Sequence, residues 1–185
     1  MPAAAFWMDR DRPAADEARL VASALAAGGG ASALRSAFEH LVRYHERRGV
    51  DRAPDDGDHR QFIAAVTQAL HERSDQVWDF VIDAKVDSQG ARDDDQFDIS
   101  WQRSAIQFFL DDHAGFLAEP GQESRRDGIA EDVELIDDEL RRLGASYGPV
   151  PDDELPRGLP QSHWWWWPAP LPDGPHRRHQ GWDEP

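Results

Sequence analysis

Apolar residues recur through most of this chain at intervals of three and four, the spacing that lines up one face of an α-helix. Ala14, Ala18, Val21 and Leu25 form the first such row, and Gly28-Gly29-Gly30 closes it. Ser32 is placed to cap a second helix whose row is Leu34, Phe38, Leu41 and His45, with Gly49 as its stop. Asp51 to Asp58, with Pro54 and Gly57, reads as a loop, and Phe62, Ile63, Val66 and Leu70 mark a third helix. Ser74 opens a fourth segment in which Trp78, Val81, Ile82 and Val86 suit a helix. Trp78, Phe80, Ile82, Ala84 and Val86 also alternate, as do Phe97, Ile99 and Trp101, so a hairpin across Ser88-Gln89-Gly90 competes. The helical rows on both sides favour helix.

Asp98 is placed to cap a long fifth helix with Ile99, Ile106, Phe109, Leu110, His113, Phe116 and Leu117 on one side. A second strip of Trp101, Ala105 and Phe108 widens its apolar face beyond what one partner covers, so this helix should be central. Pro120-Gly121 should end it. Residues 129–143 give the cleanest row, Ile129, Val133, Ile136, Leu140 and Leu143, with acids early, Arg141-Arg142 late and Gly144 as the expected stop.

Beyond that point the pattern changes character. Prolines crowd both sides of His163-Trp164-Trp165-Trp166-Trp167, which argues for extended or polyproline-like chain. Side chains of such a segment alternate in direction, so four consecutive indoles cannot all enter one core. The fold predicted is all-α, a bundle of about six helices with an extended Pro/Trp-rich C-terminal segment packed along it. The alternative is α+β, with a small hairpin around residues 77–101. In domains this means a loose arm over 1–13, with Trp7 as an anchor, a helical domain over 14–144, and a tail over 145–185. Of the tail, residues from Ala145 to about Pro172 should lie along the bundle, and those from Gly174 should fray.

The chain of 185 residues is long enough for one good core and contains no cysteine, which removes disulfides and thiol chemistry together. A short apolar run from Leu20 to Ala27 follows Asp9, Asp11, Asp16 and Glu17, the wrong charge for a signal peptide, so a cytoplasmic protein is expected. No stretch has the length of a membrane span. The formal charge of −16 is concentrated in residues 51–140, where 24 acids face eight bases. Such a field repels nucleic acid and anionic membrane and attracts a basic protein or a metal cation.

Candidate chemistry is thin. His71-Glu72-Arg73-Ser74-Asp75 begins like a zincin helix but carries Asp where a second histidine is needed. Histidines His45 and His113 are expected to sit on helix faces, satisfied by hydrogen bonds. Asp94-Asp95-Gln96-Phe97-Asp98 has the DDxxD form of helical terpene synthases, in a chain too short for that fold and with no second metal motif. Glu134-Leu135-Ile136-Asp137 resembles the ExxD string of the helical nucleotide pyrophosphohydrolases, without the paired motif ahead of it. Asp79 and Asp83, one turn apart, are the nearest substitute. No serine occupies a nucleophile elbow.

These observations point to a non-catalytic acidic module that binds a basic protein, in the manner of an immunity or antitoxin inhibitor. The partner-binding or tail-anchor residues are His163, Trp164, Trp165, Trp166 and Trp167. The acidic surface comprises Asp93, Asp94, Asp95, Asp111, Asp112, Glu131, Glu134, Asp137 and Asp138. No cofactor is expected. The alternative is a small helical hydrolase acting on a phosphorylated substrate, with Mg²⁺ or Mn²⁺ held by Asp79, Asp83, Glu134 and Asp137. The sequence leaves the oligomeric state open.

Overall fold

A computed structural model describes residues 11–28, 30–54, 56–148, 150 and 154–167, and of Asp93 the backbone alone. The described residues form six α-helices and no strand: α1 (Ala14–Ala26), α2 (Gly30–Asp51), α3 (Gly57–His71), α4 (Ser74–Ser88), α5 (Gln96–Phe108) and α6 (Glu123–Tyr147). The hairpin alternative over 77–101 is therefore overturned. The arm over 1–10 and the stretch 168–185 lie outside the described residues.

Helix α1 folds back along α2 through the turn at Gly28, whose φ of +62° is open to glycine at no steric cost. Their contact is held by Val21, Leu25, Leu34 and Phe38 and by a buried carboxylate, Glu17, that meets His40 Nδ1 at 2.7 Å and Arg12 Nη1 at 3.3 Å. Helix α3 begins where Asp56 accepts the backbone N–H of His59 at 2.9 Å, a side-chain N-cap. Helices α4 and α6 lie side by side and parallel: Arg125 reaches Ser74 and Asp75, Trp78 packs on Gly128, and Lys85 pairs with Asp132. A Cβ on Gly128 would come within 2.2 Å of the Trp78 ring, so the glycine makes room for the indole.

Helix α5 is the centre. Gln96, Phe97, every residue from Ile99 to Ile106, and Phe108 are buried. It starts two residues before Asp98, whose carboxylate takes the Trp101 indole N–H (3.3 Å) instead of capping. It also ends sooner than the apolar row implies. A π-turn over Phe109–His113 and a 3₁₀ turn over Ala114–Ala118 replace the expected continuous helix. The π-turn inserts a residue and re-aims the side chains after it, which carries His113 inward against α3 while Asp111 and Asp112 stay exposed.

Four helix boundaries differ from the sequence expectation. Gly49 does not stop α2, which runs to Asp51; the left-handed residue there is Arg52, φ 49°. Gly144 does not stop α6 either. The helix continues to Tyr147, and Gly148 ends it with φ 93° and its N–H on the Gly144 carbonyl. Ser32 and Ser74 lie inside their helices, and Arg73 is the residue before α4. The buried face of α4 is Val77, Phe80, Val81, Ala84 and Ser88, so Val86 is out in solvent and Trp78 and Ile82 are only half-buried.

Candidate functional site

The tryptophan segment closes over α5 and brings the most unusual chemistry of the molecule with it. Val150, Pro156 and Leu159 are buried on the way. The crossing over α2 is backbone on backbone: a Cβ on Gly49 would stand 1.8 Å from the Gly158 carbonyl oxygen, and one on Gly158 would stand 2.0 Å from that of Glu46. The Glu46 carboxylate, itself buried, accepts the Arg157 N–H at 3.0 Å. Gly49 is thus a packing residue rather than a cap.

The indoles are not carried on extended chain. Trp164–Trp166 form a 3₁₀ turn, with Trp166 N–H on the His163 carbonyl and Trp167 N–H on that of Trp164. Side chains of that turn splay at about 120° intervals, so two neighbours, Trp165 and Trp166, both reach the core at 1% and 0% exposure. Trp164 is half-buried under the Arg141 guanidinium, and Trp167 is exposed.

One hydroxyl organises the closure. Ser104 Oγ accepts Trp166 Nε1–H at 2.9 Å and Trp165 Nε1–H at 3.1 Å, and lies 3.1 Å from His163 Nδ1. Trp165 Nε1 is shared with the Ser100 carbonyl at 3.0 Å. The small serines at 100 and 104, one turn apart on an otherwise bulky helix, open the slot that the indoles fill. Arg103 lies 4.3 Å over the Trp165 ring and is pinned by Asp137 through two nitrogens, at 2.7 and 3.3 Å.

Around this point four histidines gather from four elements: His45 of α2, His59 of α3, His113 of the π-turn and His163 of the tryptophan segment, the strap that crosses α2 and closes over α5. His45 stacks on Phe108 at 4.0 Å, and Phe108 touches the His163 ring at 4.8 Å. His113 Nδ1 meets Thr67 Oγ1 at 2.8 Å, and His59 Nδ1 meets the Tyr44 hydroxyl at 2.7 Å. Nε2 of His45, of His113 and of His163 is buried with no hydrogen-bond partner, although Asp112 Oδ2 lies 3.7 Å from the first. His113 and His163 are therefore hydrogen-bonded at one nitrogen only, and the expectation that hydrogen bonds satisfy His45 and His113 fails at Nε2 of both. Burial drives His113 and His163 down to about 4, with His59 and Arg103 respectively adding repulsion. Burial likewise holds His45 well below the usual imidazole range, helped by the positive forms of His113, His59, Arg48 and His163. All three are neutral at pH 7.

The predicted acids are dispersed. Asp94, Asp95, Asp111, Asp112, Glu131, Glu134 and Asp138 are exposed, while the Asp93 side chain lies outside the described residues. Asp137 is not part of a solvated face: only 15% of its side chain is exposed, and Arg103 holds it. Asp79, Asp83 and Glu134 stand exposed on α4 and α6, apart from Asp137's ion pair. Among the described residues no three His, Asp or Glu side chains form a group that could hold a metal ion. Nor, among them, is any helix long and apolar enough to cross a membrane. Sequence reasoning missed Ser104, Arg103, Gly158 and His59. The available signal was the Ser100/Ser104 pair on the helix whose apolar face is widest, the one expected to be central.

No protein-family model matches the chain, and neither a curated protein nor a solved structure is detectably similar to it.

Proposed function

We propose that this chain is a non-catalytic interaction module that binds a basic protein through its acidic outer surface. Inhibition of a basic enzyme, as immunity and antitoxin proteins inhibit theirs, is the form of that activity we favour. The observation that carries the reading is the exposed acid on the parallel pair α4 and α6. Asp79 and Asp83 of α4 and Glu131 and Glu134 of α6 are exposed and make no ion pair with the described residues. Val86 and Leu135, 57% and 45% exposed, are on the same two helices. Uncompensated carboxylates and exposed aliphatic residues complement a surface rich in Lys and Arg, and the carboxylates repel nucleic acid.

The tryptophans are assigned a different role from the one an anchor would need. Trp165 and Trp166 are used inside the protein, so within the described part of this segment Trp167 is the indole most open to a partner. The absence of cysteine supports action in the cytoplasm.

A pull-down with the full chain along a salt gradient tests the proposal, run beside a variant carrying Asp79→Asn, Asp83→Asn, Glu131→Gln and Glu134→Gln. The expected result is a stoichiometric basic protein that moderate salt releases, because screening shortens the reach of the charges, and that the variant fails to retain. Equal retention by the variant, or no stoichiometric partner, overturns it.

A further inference from the structure

The geometry points to the strap being an acid-released latch: a proton on His163 disconnects Trp165 and Trp166 from α5 while the bundle stays folded. A single hydroxyl has a fixed capacity for hydrogen bonds. Serine offers two lone pairs and one hydrogen. Two indole N–H groups point at Ser104 Oγ, so its lone pairs serve them and its hydrogen is left for His163 Nδ1. With both indoles on Ser104, His163 accepts at Nδ1, which places its own proton on Nε2. The neutral ring is thereby part of the network that holds both indoles.

Protonation reverses that role. The imidazolium carries N–H at both nitrogens, so Nδ1 can no longer accept from Ser104. Either the serine hydrogen is stranded, or the hydroxyl turns to receive His163 and gives up an indole. Nε2–H, already without an acceptor, becomes a buried charged donor.

The groups facing the ring deepen the effect. Arg103 of α5 stands beside it and is only partly offset by Asp137 of α6. Across Phe108 lies His45 of α2, and behind it are His113 of the π-turn and His59 of α3. Asp112 lies 3.7 Å from His45 Nε2, so its charge favours a proton on His45 rather than on His163. The strap docks through its 3₁₀ turn, the glycine crossing, the Arg157–Glu46 hydrogen bond and buried Val150, Pro156 and Leu159. Release of the indole turn leaves the contacts among α1 to α6 in place.

Because the chain has no cysteine, the exposed residue Gln161 can be changed to Cys and labelled with an environment-sensitive dye. Strap position is then followed by the dye, and helix content by far-UV circular dichroism, from pH 7.5 to pH 4. The expected result is release with a midpoint between pH 6.5 and about 4 while helix content is retained. His163→Gln should move the midpoint to lower pH or abolish release, and His163→Lys should leave the strap open at pH 7.5. NMR titration of labelled histidines in the otherwise native chain gives the same answer if a variant folds poorly: the His163 midpoint should coincide with release. Dye and helix signals changing together, or release that ignores His163, overturns the proposal.

Discussion

Ser104 carries more of this structure than its size implies. It is fully buried, it receives two indole N–H groups, and it serves His163 as well. Ser104→Ala takes a hydrogen-bond partner from Trp166 Nε1 and from His163 Nδ1, while Trp165 keeps the Ser100 carbonyl. A buried polar group left without a partner costs about 1–3 kcal/mol, so the substitution should lower stability by about 2–4 kcal/mol. Urea unfolding reads this as a lower midpoint at unchanged slope. Ser100→Ala is the control. Ser100 Oγ is buried with no partner, and only its backbone carbonyl is used. Its removal should change stability by less than about 0.5 kcal/mol in the destabilising direction, and a gain is consistent with relief of an unsatisfied group. Equal effects from the two substitutions would refute the role given to the Ser104 hydroxyl.

At the scale of elements, the strap and α2 meet where both chains have shed their side chains. Gly→Ala inside a helix ordinarily stabilises by roughly 0.5–1 kcal/mol. Gly49 lies inside α2, yet Gly49→Ala should destabilise, because its Cβ would meet the Gly158 backbone at 1.8 Å. Relief requires moving the strap away from Glu46 and Val50, so the loss should be about 1–3 kcal/mol, with the Trp165 and Trp166 emission shifting to the red. A stabilised Gly49→Ala protein would show that the crossing is not there.

That sign reversal also explains how far the elements could be read in advance. Helices whose apolar row is unbroken were legible: Ile129, Ile136, Leu140 and Leu143 of α6 are all buried as their spacing requires. In α4, Val77, Phe80, Val81 and Ala84 offer a second row at the same spacing as Trp78, Val81 and Ile82. The positions of α2 and α5 decide between them, since Phe80 meets Phe38 and Trp101 while Trp78 lies at the side, on Gly128 of α6. Gly49 and Gly144 read as stops because punctuation and close packing select the same residue. The strap's partners were out of reach for another reason. Ser104 and Trp166 are 62 positions apart, and Glu46 and Arg157 are 111 apart. No local period records such pairs. The tryptophans were legible as needing cover, but their arrangement was misjudged: a 3₁₀ turn buries adjacent side chains where extended chain would separate them.

For the molecule as a whole, the buried histidines set a pH limit that its acidity alone would not. His113 sits in the bundle at zero exposure with a folded-state pKa of about 4, against 6.5 for a free imidazole, and His45 is shifted in the same direction. Above pH 6.5 the ring of His113 is neutral in folded and unfolded chains alike, and its contribution to stability is fully present. Between pH 6.5 and about 4 the unfolded chain takes up a proton that the folded protein refuses, so stability falls as pH falls. The loss from His113 should be on the order of 3 kcal/mol across that window. The charge of −16 acts in the other direction below about pH 5, where carboxylates begin to neutralise and their mutual repulsion weakens. The interval from pH 6.5 to pH 5 therefore reports the histidines almost alone. Urea midpoints measured there should decline steadily in the native sequence, and His113→Gln should make the decline shallower, leaving the part that His45 and His163 contribute. Since Gln cannot be charged, a slope unchanged by this substitution would assign the acid sensitivity to other groups. A flat native profile would mean that His113 is far better solvated than its position between Thr67 and α5 allows.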